Sequence, residues 1–495
     1  DGDVWFSSNT FSQAPEPSSG GGGSIEAVAS GALATGETVI VNSDGTVSVI
    51  VGSPVEIGLS EPTAFSGEAV DYTIAAYDPI AKIVLIAFQV SYPNNNAAMV
   101  VGTMDGDTIT FGEITQIEGS GSTYSDIGLC SIGNRQFVIA YSKPTKYGYA
   151  HMITVDSDTN FIRVGVEQNF ATTGGAQSIS ISYCPDADKV MCVYRRPDAN
   201  GILGGNAISL DRDNKTVQHG TQRSVSNYCM NPVLSYDTVQ KKFMCLFEAG
   251  SSFLTAVVLD FDAMSVQTST ETIVNSGTSS YVDTVYDVSA RQHVVVWQNE
   301  SDANSSANSY CIEIQDGVRD LTLGEWSAIN ATRSEFLWVS YDSVKKKVFV
   351  IYEDFNNTKN LVTAYGKVTG AKCNWETSYD MNMTMNESMI SQEDPDSGNM
   401  WLIGQNSTMK GDAWRLIPAY IASNLTGTNY IGTSSADYAD GETATIQTVG
   451  SVSEDQSGLT AGLGYYVQPA DGSLGTTGTV FAGTAISPTK LIVKG

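Results

Sequence analysis

One hairpin recurs along this chain about every fifty residues, and that repetition limits the possible folds more than any other feature. "YDSVKKKVFVIYED" (Tyr341 to Asp354) reads as two half-buried strands, apolar and polar residues alternating, around a lysine-rich turn. Aligned on the aromatic that ends the second strand, the copies are "YDPIAKIVLIAF" to Phe88, "CSIGNRQFVIAY" to Tyr141 and "YCPDADKVMCVY" to Tyr194. "YDTVQKKFMCLF" to Phe247, "YDVSARQHVVVW" to Trp297 and "YDSVKKKVFVIY" to Tyr352 follow, with a degenerate "EDPDSGNMWLIG" to Gly404. The intervals are 53, 53, 53, 50, 55 and 52 residues.

Each copy continues through a polar turn into a third strand, such as "NLVTAYGKV" (Asn360 to Val368), and a fourth, such as "NWETSYDM" (Asn374 to Met381). Four antiparallel strands repeated seven times predict an all-β fold, a seven-bladed β-propeller over residues 53–428. A solenoid of the same units would need capping repeats, and none is evident. After "AWRLIPAYIA" (Ala413 to Ala422) the seventh copy lacks a fourth strand, whereas "SPVEIGLSEPTAF" (Ser53 to Phe65) has the shape of one. The expectation is closure by this N-terminal strand, which hides two sheet edges.

The flanks differ from the repeats. Residues 1–24 are a Gly, Ser and Pro-rich flexible arm whose Trp5 and Phe6 are a candidate anchor into a partner. Residues 25–52 carry Asp44-Gly45 between alternating strands, a strong hairpin signal. Residues 429–495 read as five or six short strands. Because closure brings the ends of the repeat region together, both flanks are expected to form one small β domain.

Charge narrows the function classes. The 54 Asp and Glu outnumber 26 Lys and Arg, giving a formal charge of −28. Such a surface repels phosphate backbones and anionic lipid, so neither nucleic-acid binding nor membrane insertion is expected. The longest apolar run falls far short of the ~20 residues of a membrane-spanning helix. The chain starts at Asp1 and not Met, so a preceding piece is expected to have been removed or left out. Seven scattered cysteines without a CxxC pair read as strand fillers, with one or two disulfides possible.

Lys82, Lys189, Lys241, Lys242, Arg291, Lys345, Lys346 and Lys347 all fall in the first hairpin turn of their copies. They form a candidate basic crown on one rim, suited to an acidic subunit surface or a sulfated or carboxylated glycan. "DPDSGNMW" (Asp394 to Trp401) approaches the Asp-box of sialidase-like propellers, a turn element and not a catalytic one. His151, His219 and His293 lack a nucleophile context, and no catalytic residues are assigned. No cofactor is expected. "DSDTN" (Asp156 to Asn160) and "DRDNK" (Asp211 to Lys215) resemble calcium loops but lack the Gly and distal Glu of an EF-hand, so calcium is a minor alternative to turn chemistry.

Three stretches resemble tail-fibre-like and other virion-surface proteins of marine tailed bacteriophages. They are "ASGALATGETVIVNSDGTVSV", the repeated "YDSVKKKVFVIYED", and the C-terminal run from "NYIGTSSADYADGETATIQTVG" to "VFAGTAISPTKLIVKG". The resemblance implies a non-enzymatic, extracellular virion-surface or capsid-decorating protein. Its small β domain would attach to other virion subunits or to like copies, and its propeller would face outward for host or glycan adhesion. Two further readings stand beside it: a purely structural subunit of a particle or extracellular filament, and a sialidase-like glycan hydrolase.

Overall fold

In a computed structural model of the chain, the described residues are 23–55, 58–90, 96–117, 127–143, 147–171, 174–197, 201–250, 252–357, 359–376, 378–384, 389–417, 420–469 and 471–494. Trp5 and Phe6 lie outside them. Among the described residues the fold is all-β, with no α-helix, and hence no helix long and apolar enough to cross a membrane. The chain divides into two compact units, Asp1–Ile57 with Pro418–Gly495, and Gly58–Ile417.

Within Gly58–Ile417 the strands fall into antiparallel groups, one for each copy of the hairpin. The fourth group is representative. Met230–Asp237 pairs with Lys242–Glu248, that strand with Phe253–Asp262, and the third strand with both Ser265–Thr268 and Thr272–Asp287. The sequence suggested half-buried strands, but the second strand of each hairpin is covered on both faces. Ile83–Val90 and Lys347–Asp354 are buried at almost every position. Neighbouring groups sandwich these strands, which is why they read as near-continuous apolar runs. The aromatics that end them, Phe88, Tyr141, Tyr194, Phe247, Trp297 and Tyr352, are all fully buried. Each such side chain contributes about 2–3 kcal/mol by leaving water.

The fourth strand also departs from expectation. The run "NWETSYDM" is divided into Lys372–Trp375 and Tyr379–Thr384, which pair separately with Asn360–Thr369. At the break the Glu376 N–H donates to Tyr365 O, and Gly165 and Gly220 donate likewise to Met152 O and Ala207 O. At Gly165, Gly220 and Gly324 an added Cβ would collide with a carbonyl in the following group: Lys215 O, Met264 O and Ala371 O. The missing side chains let consecutive groups approach.

Two long strands are shared between groups. Thr272–Asp287 closes the fourth with its first half and opens the fifth with its second; Leu321–Asp342 does the same for the fifth and sixth. Thr63–Asp78 repeats this arrangement at the junction of last and first. Its residues Thr63, Ala64, Ser66 and Ala69 face Ala413, Asp412, Gly411 and Lys410, and from Val70 onward it pairs with Ile83–Val90. Gly58–Leu59 faces Leu416–Ile417, and Gly52–Val55 faces Tyr420–Ser423. The pairing of Ser53–Phe65 with Ala413–Ala422 expected from the sequence is therefore the pairing observed. The first strand of each group packs on that of the next, and Met389–Asp394 packs back onto Thr63–Asp78. This closes a cycle of contacts.

The other unit is stitched from both ends of the chain. Ser24–Val28, Thr38–Val41 and Val47–Val49 share one sheet with Tyr430–Ser434 and Thr443–Gln447. The Asp44-Gly45 hairpin is present, with Val39 facing Val49 and Gly45 at φ 84°. A second sheet holds Val452–Ser453, Gly464–Val467, Leu474–Gly475, Val480–Ser487 and Lys490–Val493. A core including Ile40, Ile50, Tyr430, Tyr465 and Leu491 joins the two sheets.

Candidate functional site: the bulged ends of the first strands

The first strands of the Gly58–Ile417 unit have chemically different ends. At the C-terminal end lies the repeated Asp-x-x-x-Lys turn. Its aspartate is buried and caps the turn: Asp237 Oδ1 accepts the Val239 and Gln240 N–H groups, and Asp287 Oδ1 those of Ser289 and Ala290. The fifth residue takes the left-handed conformation, at φ 56° in Lys82 and Lys241, 59° in Arg291 and 54° in Lys346. In the seventh copy this place belongs to Gly398, φ 72°, so "DPDSGNMW" is the same turn in another form.

The basic residues gather at this end, but many are already paired. Lys82 binds Asp396 at 3.1 Å and Lys241 binds Asp186 at 2.6 Å, each partner belonging to the preceding group's turn. Lys345 pairs with Asp342 and Lys347 with Glu376. Lys189 lies over the Phe261 ring and Lys242 donates to Gln240 O. Among the described residues Arg291 and Lys346 form no ion pair. Interleaved carboxylates thus offset much of the crown's charge, and exposed Ile80, Val239, Val288 and Val344 stand between them. The chain enters and leaves this unit at the same end, because Gly58 faces Ile417 where the third strand of the last group finishes.

The opposite end went unpredicted. Six residues before the turn aspartate, or its Cys184 counterpart, Tyr72, Ser178, Asn231, Tyr281 and Phe336 adopt φ between 47° and 50°. At each, the register with the second strand slips, marking a β-bulge. Left-handed backbone costs a non-glycine residue about 1–2 kcal/mol, so five repeats store strain at one end of the fold. Side chains of consecutive bulges meet. Ser178 Oγ donates to Asn231 Oδ1 at 3.5 Å, and the Tyr281 and Phe336 rings lie 4.8 Å apart. Phe336 is in turn near-parallel to Trp338, 6.2 Å away. Tyr281, Phe336 and Trp338 are partly exposed and form an aromatic shelf across the fifth and sixth groups.

Carboxylates border the shelf. Asp283 Oδ2 accepts the Val339 N–H at 2.9 Å and Oδ1 the Thr284 N–H at 2.8 Å, linking the first strands of the two groups. The Ser180 hydroxyl makes the equivalent link by accepting the Leu234 N–H. Loss of water around the Asp283 carboxyl pushes it up to about 7 despite these two donors. Glu300 accepts from the Ser280 hydroxyl at 2.7 Å. The nearby cations are engaged: Arg333 pairs with Glu335 and lies 3.9 Å from the Phe355 ring centroid, and Lys359 pairs with Glu353 at 3.3 Å.

The remaining candidates have structural places. His293 is fully buried, bonded through Nδ1 to Ser235 Oγ at 2.7 Å, and burial pushes it down to about 4. Phe243, Val348 and Met400 fill the matching position in other copies. His151 bridges the Tyr141 hydroxyl and Gly165 O, as Asn206 bridges the Tyr194 hydroxyl and Gly220 O. The suspected calcium loops spend their carboxylates on their own turns: Asp156 Oδ1 accepts from the Asp158 and Thr159 N–H groups, and Asp211 Oδ1 from that of Asn214. Among the described residues no cluster of His, Cys, Asp or Glu is arranged to hold a metal ion, and all seven cysteines are free thiols.

No family model matches the sequence, and no curated protein matches it. Solved structures that superpose on it include AofleA from Arthrobotrys oligospora, 9% identical, covering 72% of this chain and 96% of that one with a TM-score of 0.40. A triple arginine-to-alanine mutant of AofleA is 10% identical with the same coverages and TM-score. A protein described as a candidate 6-phosphogluconolactonase from Bacteroides uniformis is 8% identical, covering 74% of this chain and 99% of that one with a TM-score of 0.47.

Proposed function

We propose that Gly58–Ile417 is a seven-bladed β-propeller acting as a glycan-binding head on a non-enzymatic virion-surface protein, and that the two-ended β unit attaches it to the particle or to like subunits. The cyclic packing of the first strands supports the propeller. The carrying observation for adhesion is the Tyr281–Phe336–Trp338 shelf, built from two bulged strands at the end opposite the chain exits. Partly exposed rings offer flat apolar faces to the C–H faces of sugars, while carboxylates at their edges accept hydrogen bonds from sugar hydroxyls. A non-enzymatic role fits two buried histidines spent on internal bonds and an Asp394–Trp401 segment that forms a turn. The test is binding of labelled protein to host cells and to a glycan array. Trp338→Ala is expected to lose at least about 90% of the signal with the fold intact by circular dichroism; unchanged binding by that variant would remove the shelf from the account.

A second reading, a structural subunit without a ligand, draws on exposed Ile80, Val239, Val288 and Val344, spaced around the turn end where another protein surface could cover them. Absence of glycan and cell binding by the wild-type protein, together with self-association weakened by Val344→Ser, would favour it.

A further inference from the structure

Resting on the proposed glycan-binding role, we infer that the shelf selects uncharged sugars and rejects sialylated or sulfated ones. Recognition of an acidic glycan needs a cation whose charge is available to the ligand. Among the described residues, the cations beside the aromatic cluster are engaged: Arg333 is paired with Glu335 and packed on Phe355, and Lys359 is paired with Glu353 and lies 4.8 Å from the same Phe355 centroid.

The acidic groups, by contrast, keep excess charge. Asp283 and Glu300 lie on or beside the strand that carries Tyr281, and each is bonded to neutral donors alone: backbone N–H groups for Asp283, the Ser280 hydroxyl for Glu300. With Glu335 and Glu353 cancelled by their partners, Glu300 leaves the border of the shelf negative, and Asp283 adds to that charge above about pH 7, where it ionises. An arriving carboxylate or sulfate would meet like charges across a partly dehydrated surface, where repulsion exceeds its value in bulk water. A neutral pyranose avoids that repulsion. Its hydroxyls donate to the same oxygens, and its C–H face stacks on Trp338 and Phe336. The chain's charge of −28 adds longer-range repulsion against polyanions, screened by salt.

The test is an array pairing neutral oligosaccharides with sialylated and sulfated forms of the same backbones, probed with the full chain at pH 8, where Asp283 is ionised, and at low and high sodium chloride. Neutral forms are expected to bind at least about tenfold more tightly, with the gap narrowing as salt rises. In the Asp283→Asn, Glu300→Gln double variant the gap should also narrow through stronger binding of the acidic forms. Trp338→Ala should lose all forms, whereas Trp326→Ala, an exposed tryptophan outside the shelf, should lose none. Acidic forms bound as tightly as neutral ones, or more tightly, would overturn the charge selection and leave glycan binding standing. Silence from every glycan would overturn both.

Discussion

The hydroxyl of Tyr77 donates a 3.2 Å hydrogen bond to Asp394 Oδ1, joining the first hairpin turn to the last across 317 residues of chain. The same contact ties other neighbours: Tyr236 reaches Asp186 at 3.1 Å, and Tyr341 reaches Ser289 at 2.9 Å. In the seventh copy glutamate replaces the tyrosine, and Glu393 Oε1 accepts the Ser343 N–H at 2.6 Å. Different residues thus perform one lateral task. Tyr77→Phe deletes the bond between first and last groups while Asp394 Oδ1 keeps the Asp396 N–H. The expected loss is about 1 kcal/mol, read by urea denaturation.

Asp283 gives the protein a pH dependence of known sign. Its folded-state pKa, about 7, lies above the 3.8 of an exposed aspartate. Between these values the folded chain holds a proton that the unfolded chain has released, so stability falls as pH rises through the window. Above about 7 the full penalty is present. The displacement bounds it at about 4 kcal/mol, and partial exposure makes the real figure smaller. Asp283→Asn cannot ionise. Its stability difference from wild type, measured by urea denaturation at pH 5 and pH 8, should shift in its favour at the higher pH.

Close approach of consecutive groups depends on glycine where the fourth strand breaks. At Gly220 a Cβ would overlap Met264 O, a backbone atom that cannot move aside cheaply. Gly220→Ala should cost about 2 kcal/mol or more. Gly427→Ala, with open space around its Cβ, should be close to neutral in the same thermal melts.

At the turn end, Lys346 occupies a left-handed position that glycine fills in the seventh copy. Relief of about 1–2 kcal/mol of backbone strain is offset by about 0.5–1 kcal/mol of added unfolded-state freedom. Lys346→Gly is therefore expected to stabilise by about 0.5 kcal/mol in chemical denaturation, although it removes a charge. A clear loss of stability would show that the side chain has a role there.

The repeated hairpins and their closing strand were legible because each is written locally: a turn aspartate, an apolar second strand, and a fourth-strand shape displaced to the front of the chain. Burial of the second strand on both faces was masked by the polar residues at its two ends. The bulged end was illegible for a different reason. Tyr72, Ser178, Asn231, Tyr281 and Phe336 mix aromatic and polar side chains, and none is a residue that prefers positive φ strongly enough to announce it, apart from Asn231. Sheet packing imposes that conformation. The only trace in the sequence is constant spacing, six residues ahead of the turn. The pairing of the crown's lysines is not legible in the sequence, because lysine spacing is visible there whereas partners such as Asp186 and Asp396 belong to neighbouring turns.

The most direct test of the closed seven-membered arrangement is a crystallographic density map of the full chain. Seven four-stranded sheets about one axis are expected, with Thr63 beside Ala413 and Leu59 beside Leu416 as the last sheet is completed from the front of the chain. A map with a different number of sheets, or with Thr63–Ala69 paired elsewhere and the last sheet left three-stranded, would contradict it.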